Sequence, residues 1–138
     1  MATLQNVTAR DFMSANLVSF SADMDVLTAI QLLLEKGCSA GPVFDRLGNL
    51  VGILSEKDCI QVALNAGYHG EWGGKVSQFM STSVITVDAD DSILDVARRF
   101  VGSPFKLYPV VGDNRVIGHI TRSHVLRAID SMRGKYPV

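Results

Sequence analysis

The chain has 138 residues, 47% of them apolar and 20% charged, and a formal net charge of −1. This length and composition predict a globular protein of one domain or two very small ones, with enough apolar side chains for a packed core. The balanced charge argues against a non-specific nucleic-acid binder, which carries a clear basic excess, and no apolar run approaches the roughly 20 residues of a membrane span.

The first half of the chain predicts the order strand, helix, strand, strand, helix. A short helical lead-in, "VTARDFM", precedes a β-prone run, "LVSF", and Asp23 is predicted to cap the next helix. That helix has an apolar stripe with the spacing of one buried face. The stripe comprises Val26, Leu27, Ile30, Leu33 and Leu34. The runs "GPVF" and "LVGIL" then predict a hairpin, and a second helix follows from Glu56 to about Asn65.

The second half repeats this pattern, which indicates an internal duplication. Equivalent residues lie 67 positions apart up to the hairpin turn of each half. After that turn they lie 66 apart, because the turn of the second half is one residue shorter. The matched pairs include Met13 and Met80, Asp23 and Asp90, Leu27 and Leu94, Pro42 and Pro109, and Gly52 and Gly118. The run "VITV" predicts the first strand, Asp90 the helix cap, and "YPVV" with "VIGHI" the hairpin. The last helix is predicted from Ser123 to about Met132.

The duplication predicts two repeats, at residues 8–66 and 76–132, joined by a glycine-rich linker at 67–75. Each repeat is marginal as an independent domain because it has only about 60 residues. We therefore expect an α/β (α+β) fold of two β-α-β-β-α repeats that pack sheet to sheet around a pseudo-twofold axis. Tyr68 and Trp72 in or near the linker predict that it docks on the protein surface.

Taken together, these features resemble a pair of CBS domains, also called a Bateman module. The resemblance is based on the duplicated lead-ins, the proline-led strands and the pattern Gly-x-x-Ser/Thr before the last helix of each repeat, in "GILSEKD" and "GHITRSH". It covers roughly residues 8–129. It implies a regulatory module, with no required cofactor, that binds adenosine compounds (AMP, ADP, ATP or S-adenosylmethionine) in clefts between the repeats.

The resemblance implies a first site built around the turn of the first repeat. Ser55 and Asp58 would hold phosphate and ribose, and Lys57 and Lys106 could meet the phosphate. The adenine pocket would come from the second repeat. Its residues would be Ile85, Thr86, Lys106, Leu107, Tyr108 and Pro109. Read from the residues alone, Ser55 could instead simply cap the helix, with Asp58 strengthening its first turn.

A second site would use the equivalent turn of the second repeat, where His124 replaces the aspartate. Its residues would be Val18, Ser19, Ser39, Ala40 and Pro42 from the first repeat, and Thr121, Arg122 and His124 from the second. A neutral imidazole accepts only one hydrogen bond, so it cannot chelate a ribose diol as a carboxylate does. We expect this site to be empty or weaker, or else to prefer phosphate over ribose.

Other functions have less support in the sequence. His69, His119 and His124 lack metal-ligand spacing, and Ser55 has no evident base, so neither a metal site nor an enzyme is expected. The two cysteines are expected to be reduced thiols in a cytoplasmic protein, because the chain start shows no secretory signal. The resemblance implies a homodimer and a regulated partner protein. The alternative function is a ligand-free dimerisation or interaction module.

Overall fold

The computed structural model describes residues 4–16 and 18–133. In chain order its elements are α1 (Ala9–Phe12), β1 (Phe20–Ser21), α2 (Val26–Lys36), β2 (Ala40–Phe44), β3 (Leu50–Ser55), α3 (Glu56–His69), a 3-10 helix (Val76–Gln78), β4 (Val87–Asp88), α4 (Ile93–Val101), β5 (Leu107–Gly112), β6 (Arg115–Thr121) and α5 (Arg122–Ser131). The chain divides into two compact units. The central unit comprises residues 17–84, and the flanking unit comprises residues 1–16 and 85–138.

Each unit contains one three-stranded sheet, β1-β2-β3 in the central unit and β4-β5-β6 in the flanking unit. In both, the middle strand pairs in parallel with the first strand and antiparallel with the last. The predicted hairpins are therefore confirmed, and so is the mixed α/β fold class. The turn between β5 and β6 has only two residues, Asp113 and Asn114, both at positive φ. Such a turn matches the twist of a tight hairpin.

The two lead-ins are helical as predicted, but each packs in the unit of the other repeat. In α1, the Ala9 N–H donates to the Asp91 carbonyl at 2.8 Å. In the 3-10 helix, the Val76 N–H donates to the Met24 carbonyl at 2.9 Å. The compact units therefore differ from the predicted repeats 8–66 and 76–132, because each sheet and its helices bury the lead-in that is distant in sequence.

The first strand of each sheet is shorter and begins later than predicted. In β1, Phe20 pairs with Val43, and in β4, Val87 pairs with Val110. Continuing either ladder toward its N-terminal end would bring the chain opposite Pro42 or Pro109. Because proline has no N–H to donate, the pairing stops there.

The predicted helix caps at Asp23 and Asp90 are wrong by two residues. The α2 cap is Asp25, whose carboxylate accepts from the Leu27 N–H at 2.8 Å. The α4 cap is Ser92, whose hydroxyl accepts from the Asp95 N–H at 3.1 Å. Asp25 and Ser92 directly precede the first residues of their helices, Val26 and Ile93, as an N-cap must. Asp23 instead forms an ion pair with Arg46 at 2.7 Å.

The buried faces of α2 and α4 are narrower than the predicted stripes. Val26, Ala29 and Leu33 are buried in α2, and the equivalent positions are buried in α4. The last residues of the stripes point outward, since Leu34 is 75% exposed and Val101 is 90% exposed. Both helices therefore present apolar side chains to solvent as well as to the core.

The helix α3 is four residues longer than predicted and ends at His69, so the first part of the predicted linker is helical. Gly70 ends it in the left-handed conformation, which glycine adopts without steric cost. The linker backbone docks on α2, where the Gly74 carbonyl accepts from the Val26 N–H at 2.8 Å. The linker therefore docks as predicted, but through its backbone, since the side chains of Tyr68 and Trp72 are 78% and 74% exposed.

Two equivalent glycines allow each lead-in to approach the last strand of the sheet in its unit. A Cβ atom at Gly52 would lie 2.6 Å from the Met80 sulfur and 2.8 Å from the Ser81 carbonyl oxygen. A Cβ atom at Gly118 would lie 2.7 Å from the Met13 sulfur and from the Ser14 carbonyl oxygen. The repeated glycine and methionine in the sequence thus reflect one packing contact made twice.

Candidate functional site

The first candidate site lies where β3 turns into α3. Ser55 and Asp58 form a capping box, in which the Ser55 N–H donates to Asp58 Oδ2 at 2.9 Å and the Asp58 N–H donates to Ser55 Oγ at 3.2 Å. Both residues are half-buried, and Lys57 between them is exposed. Among the described residues, no hydrogen bond reaches Asp58 Oδ1. One carboxylate oxygen therefore holds the helix, and the other can accept from a ligand.

The equivalent turn joins β6 to α5, and a histidine takes the place of the aspartate. The Thr121 N–H donates to His124 Nδ1 at 2.9 Å, and the Thr121 hydroxyl oxygen lies 3.2 Å from the same nitrogen. Because Nδ1 accepts the backbone hydrogen bond, the neutral ring carries its proton on Nε2. His124 is only 9% exposed, whereas Arg122 beside it is exposed. This turn therefore presents the Nε2–H donor of His124 and the guanidinium group of Arg122. The ring has no acceptor nitrogen left for a ribose hydroxyl.

A second histidine, His119 on β6, lies beside His124. Its ring centroid lies 5.8 Å from that of His124, with the planes at 62°. Its Nδ1 is buried without a hydrogen-bond partner in the part of the chain that the structure describes. Burial and the charge of His124 lower the pKa of His119, and burial and the charge of Arg127 lower the pKa of His124. Both shifts favour the neutral form of the rings at pH 7.

The remaining predicted residues of the central unit surround its own turn or precede β1. Ala40 is opposite Ser55 in the sheet, and the Ser39 carbonyl accepts from the Glu56 N–H at 2.9 Å. Pro42 is buried, while Val18 and Ser19 precede β1, with Val18 half-buried and Ser19 exposed.

The remaining predicted residues of the flanking unit have a similar arrangement. Ile85 and Thr86 precede β4 and are not part of it, as the shorter strand requires. Leu107 is opposite Thr121, so it adjoins the α5 turn. Leu107 and Pro109 are buried, and Lys106 is exposed.

Tyr108 was predicted in the adenine pocket, and the structure places its side chain in the core of the flanking unit. Its exposure is 2%, and its ring packs against Phe100 with the centroids 4.7 Å apart. Its hydroxyl donates to the Arg99 carbonyl at 3.1 Å and bonds the Ser103 hydroxyl at 2.6 Å. The hydrogen bonds of the Tyr108 hydroxyl are therefore made within the flanking unit.

A cysteine, Cys59, directly follows Asp58 in the α3 turn. Burial, and then the Asp58 and Glu56 carboxylates, raise the pKa of the Cys59 thiol to about 11. Cys59 is thus a protonated core residue and a poor nucleophile at neutral pH. Among residues 4–16 and 18–133, no three His, Cys, Asp or Glu side chains are grouped so that they could hold a metal ion.

The sequence missed the capping role of His124. Serine followed three residues later by an acidic or amide side chain is a known cap signal, and it allowed Ser55 and Asp58 to be considered as a cap. Histidine is not part of that signal. The only indication was the duplication, which places His124 at the position of Asp58.

The chain belongs to the CBS domain family, which matches residues 9–65 and 76–131. It is similar to the Arabidopsis thaliana chloroplastic protein CBSX2, at 28% identity over 149 residues, covering 88% of this chain and 63% of that one. A solved structure of CBSX2 in complex with AMP superposes with a TM-score of 0.78 at 30% identity, covering 92% of this chain and 98% of that chain. The CBS domain pair of protein MJ0100, in complex with 5′-methylthioadenosine and S-adenosyl-L-methionine, also has a TM-score of 0.78. At 23% identity, over 92% of this chain and 98% of that one, it shows the shared fold.

Longer relatives match over part of their length. The chain spans 44% of the Methanocaldococcus jannaschii protein MJ1225, at 25% identity over 91% of this chain. It spans 14% of an A-adding tRNA nucleotidyltransferase of Aquifex aeolicus, at 29% identity over 87% of this chain. Within the described residues, no helix combines the length and apolar character needed to cross a membrane.

Proposed function

We propose that this chain is a regulatory module that binds an adenosine compound and signals the bound state to a partner protein. The candidate ligands are AMP, ADP, ATP and S-adenosyl compounds. The observation that carries the proposal is the α3 turn, where Asp58 caps the helix through Oδ2 and leaves Oδ1 free. The similarity to CBSX2, whose structure contains AMP, supports the same class of ligand.

The turn offers complementary groups for a nucleotide. Oδ1 of Asp58 accepts hydrogen bonds from the ribose hydroxyls, and Ser55 positions that carboxylate through the cap. The N-terminus of α3 and the exposed ammonium group of Lys57 favour the phosphate. The family resemblance adds adenine contacts that remain part of the proposal. They are Ile85, Thr86, Lys106, Leu107, Tyr108 and Pro109, with Tyr108 contributing only its backbone.

We propose that the other turn contributes a weaker or empty site. Its residues are Val18, Ser19, Ser39, Ala40, Pro42, Thr121, Arg122 and His124. The ring of His124 uses its one acceptor nitrogen for the cap, so it cannot bind the ribose as Asp58 does. We therefore expect one tightly bound adenosine compound per chain.

The decisive experiment is calorimetric titration of the purified chain with AMP, ADP, ATP, S-adenosylmethionine, NAD and GMP. The variant Asp58→Asn keeps an oxygen to accept from the Ser55 N–H but loses the charge and the second acceptor. Its matched control is His124→Asn, which preserves a cap acceptor in the other turn. We expect Asp58→Asn to weaken binding about 10- to 100-fold, because hydrogen bonds to charged groups contribute about 1.5–3 kcal/mol. We expect His124→Asn to leave the affinity of the α3 site unchanged.

Equal affinities in the wild type and Asp58→Asn would remove the case for this site. Thermal unfolding of both variants shows whether the cap and the fold are intact. The phosphate role has its own test, the ratio of AMP to adenosine affinity. Replacing Lys57 by alanine should bring this ratio closer to one.

Signalling requires a surface that changes its contacts, and we propose that the helices also form a homodimer. Leu34 and Ile60 line a groove of about 470 Å³ between α2 and α3, and they are 75% and 62% exposed. The equivalent residues of the flanking unit, Val101 and Leu126, are 90% and 65% exposed. Ile60→Glu or Leu126→Glu should shift the mass measured by light scattering toward a monomer.

The alternative function is a dimerisation or interaction module without a small ligand. The exposed helix residues favour it, because they do not depend on the chemistry of the turns. Titrations without heat for any of the six compounds at millimolar concentration, together with a stable dimer, would establish this alternative. A nucleotide can act as a regulatory signal only if it binds two forms of the module with different affinities.

A further inference from the structure

The two caps use different acceptors, and this difference has a consequence for pH. In the α3 turn the acceptor of the N-cap N–H is a carboxylate oxygen of Asp58, and in the α5 turn it is the Nδ1 nitrogen of His124. A carboxylate remains an acceptor down to about pH 4, whereas an imidazole ordinarily gains a proton near pH 6.5. In the protonated ring both nitrogens are donors.

We propose that the cap formed by Thr121 and His124 is a proton-sensitive element at the start of α5. It holds the first helical turn while Nδ1 of His124 is unprotonated, and it releases the Thr121 N–H when Nδ1 binds a proton. The cap formed by Ser55 and Asp58 keeps its hydrogen bonds over the same pH range. Acidification therefore changes one of the two equivalent turns and leaves the other in place.

The surroundings of His124 favour a sharp response to the proton. His124 is only 9% exposed, so a charge on its ring would be poorly solvated. Release of the cap lets the ring turn toward water, where the charge is stable. The neutral His124 ring therefore favours the conformation with the cap formed, and the protonated ring favours the conformation with the cap broken.

Among residues 4–16 and 18–133, no carboxylate forms an ion pair with His124. On the elements in contact with α5, Asp11 accepts from Thr8, Arg10 lies 3.8 Å from Asp90, and Asp95 pairs with Arg98. The other charged or titratable groups of these elements and of the neighbouring strand β5 are Arg99, Tyr108, Arg115, His119, Arg122, Arg127 and Asp130, and Lys106 directly precedes β5. Asp130 pairs with Arg133. Burial and then the charge of Arg127 disfavour a positive charge on His124 and lower its pKa.

The direction of the effect on stability follows from the lowered pKa values of both histidines. The folded unit binds protons less readily than the unfolded chain, whose histidines titrate near 6.5. The stability that the neutral rings provide is complete above pH 6.5 and declines as the pH falls through and below that value. Stability should therefore decrease between pH 7.5 and 5, before carboxylates begin to titrate.

Two-dimensional NMR of the labelled wild-type chain tests the proposal directly. At pH 7.5, long-range ¹⁵N–¹H spectra should show His124 protonated on Nε2. Between pH 7.5 and 5, the Thr121 amide should shift with the same midpoint as the His124 ring, below 6.5, while the Ser55 amide stays constant. A His124 ring protonated on Nδ1 at pH 7.5, or a Thr121 amide that does not follow the ring, would overturn the proposal.

A pair of variants tests the same point through stability. His124→Asp supplies a carboxylate acceptor in the α5 turn, and Asp58→His introduces the proton-sensitive acceptor in the α3 turn. We expect the loss in Tm between pH 7.5 and 5 to be about 2–4 °C smaller in His124→Asp than in the wild type, and larger in Asp58→His. An unchanged pH dependence in folded His124→Asp would contradict the proposal. If that variant does not fold, the wild-type NMR titration remains decisive.

Discussion

In the central unit the third residue of the last helix is Asp58, and in the flanking unit it is His124. Both side chains accept a hydrogen bond from the N–H of the preceding N-cap residue, at 2.9 Å in each case. The hydrogen-bonding groups that the caps leave unused differ, because the carboxylate has a second acceptor oxygen and the neutral ring has only an N–H donor. A duplicated turn can therefore keep its structural role in both copies while only one copy keeps the groups that suit a ribose.

A second difference lies on the strands beside these turns. Ile53 of β3 and His119 of β6 occupy equivalent positions, and each forms a pair of backbone hydrogen bonds with a lead-in serine. The isoleucine has no polar atom in its side chain, whereas His119 has a buried Nδ1 without a partner in the described part of the chain. At positions 119 and 124 the flanking unit therefore has titratable ring nitrogens, whereas the equivalent residues of the central unit, Ile53 and Asp58, have no side-chain nitrogen.

The largest expected effect comes from exchanging the acceptor in the α3 turn. Asp58→His should weaken AMP binding about 10- to 100-fold at pH 7.5, because the ring uses its one acceptor nitrogen for the cap. Calorimetry at this pH, with wild-type and His124→Asp chains as references, measures the change. Full affinity in Asp58→His would show that a carboxylate is not what the ligand needs.

The next effect tests whether the two units are packed alike. Gly52→Ala and Gly118→Ala should each reduce the free energy of unfolding by about 1–3 kcal/mol, because the new methyl group would overlap a carbonyl oxygen as well as a flexible methionine. Urea denaturation measures both values. A loss in only one variant would mean that the lead-in of the other unit can move aside.

A smaller effect is expected from making the flanking strand resemble the central one. His119→Ile removes a buried nitrogen without a partner and should raise the free energy of unfolding by about 1 kcal/mol at pH 7. Because the pKa of His119 is lowered, the gain should be larger at pH 5 than at pH 7.5. Thermal unfolding at the two pH values checks this, and equal gains would exclude a titrating role for His119.

The smallest effect should come from the linker. Trp72 is 74% exposed, so Trp72→Ala should change the free energy of unfolding by less than about 0.5 kcal/mol. The comparison variant is Val76→Ala in the 3-10 helix, where the side chain is fully buried and the loss should exceed 1 kcal/mol. A strong loss in Trp72→Ala would indicate that the aromatic ring packs in solution.

Much of the fold was predictable because it depends on local patterns that occur twice. Apolar periodicity gave the helices, the prolines marked the middle strands, and the repeat offset placed all of them in two equivalent sets. The caps at Asp25 and Ser92 were missed because several polar residues precede each helix, and only the backbone path decides which one is adjacent to the first turn. The predicted end of α3 is too early because Gly67 suggests the start of a linker, whereas the helix continues through it and ends only at the left-handed Gly70.

The candidate site was predictable as a set of residue types but not in its hydrogen bonds. The sequence placed Ser55 and Asp58 in one turn and showed that His124 replaces the aspartate in the other. It could not show which atoms the caps use, and those atoms decide what is left for a ligand. It also assigned Tyr108 to a pocket, whereas packing against Phe100 and hydrogen bonds to Arg99 and Ser103 hold its side chain in the core.

By itself, the sequence determined the duplication, the order of elements in each repeat and the exchange of aspartate for histidine, because each of these is written in residue spacing. Tertiary structure decided the rest. It determined that each lead-in packs in the unit of the other repeat, that Leu34 and Val101 are exposed, and that His124 caps a helix. These features arise from contacts between residues distant in sequence or from the direction of a side chain, and neither is encoded in a local pattern.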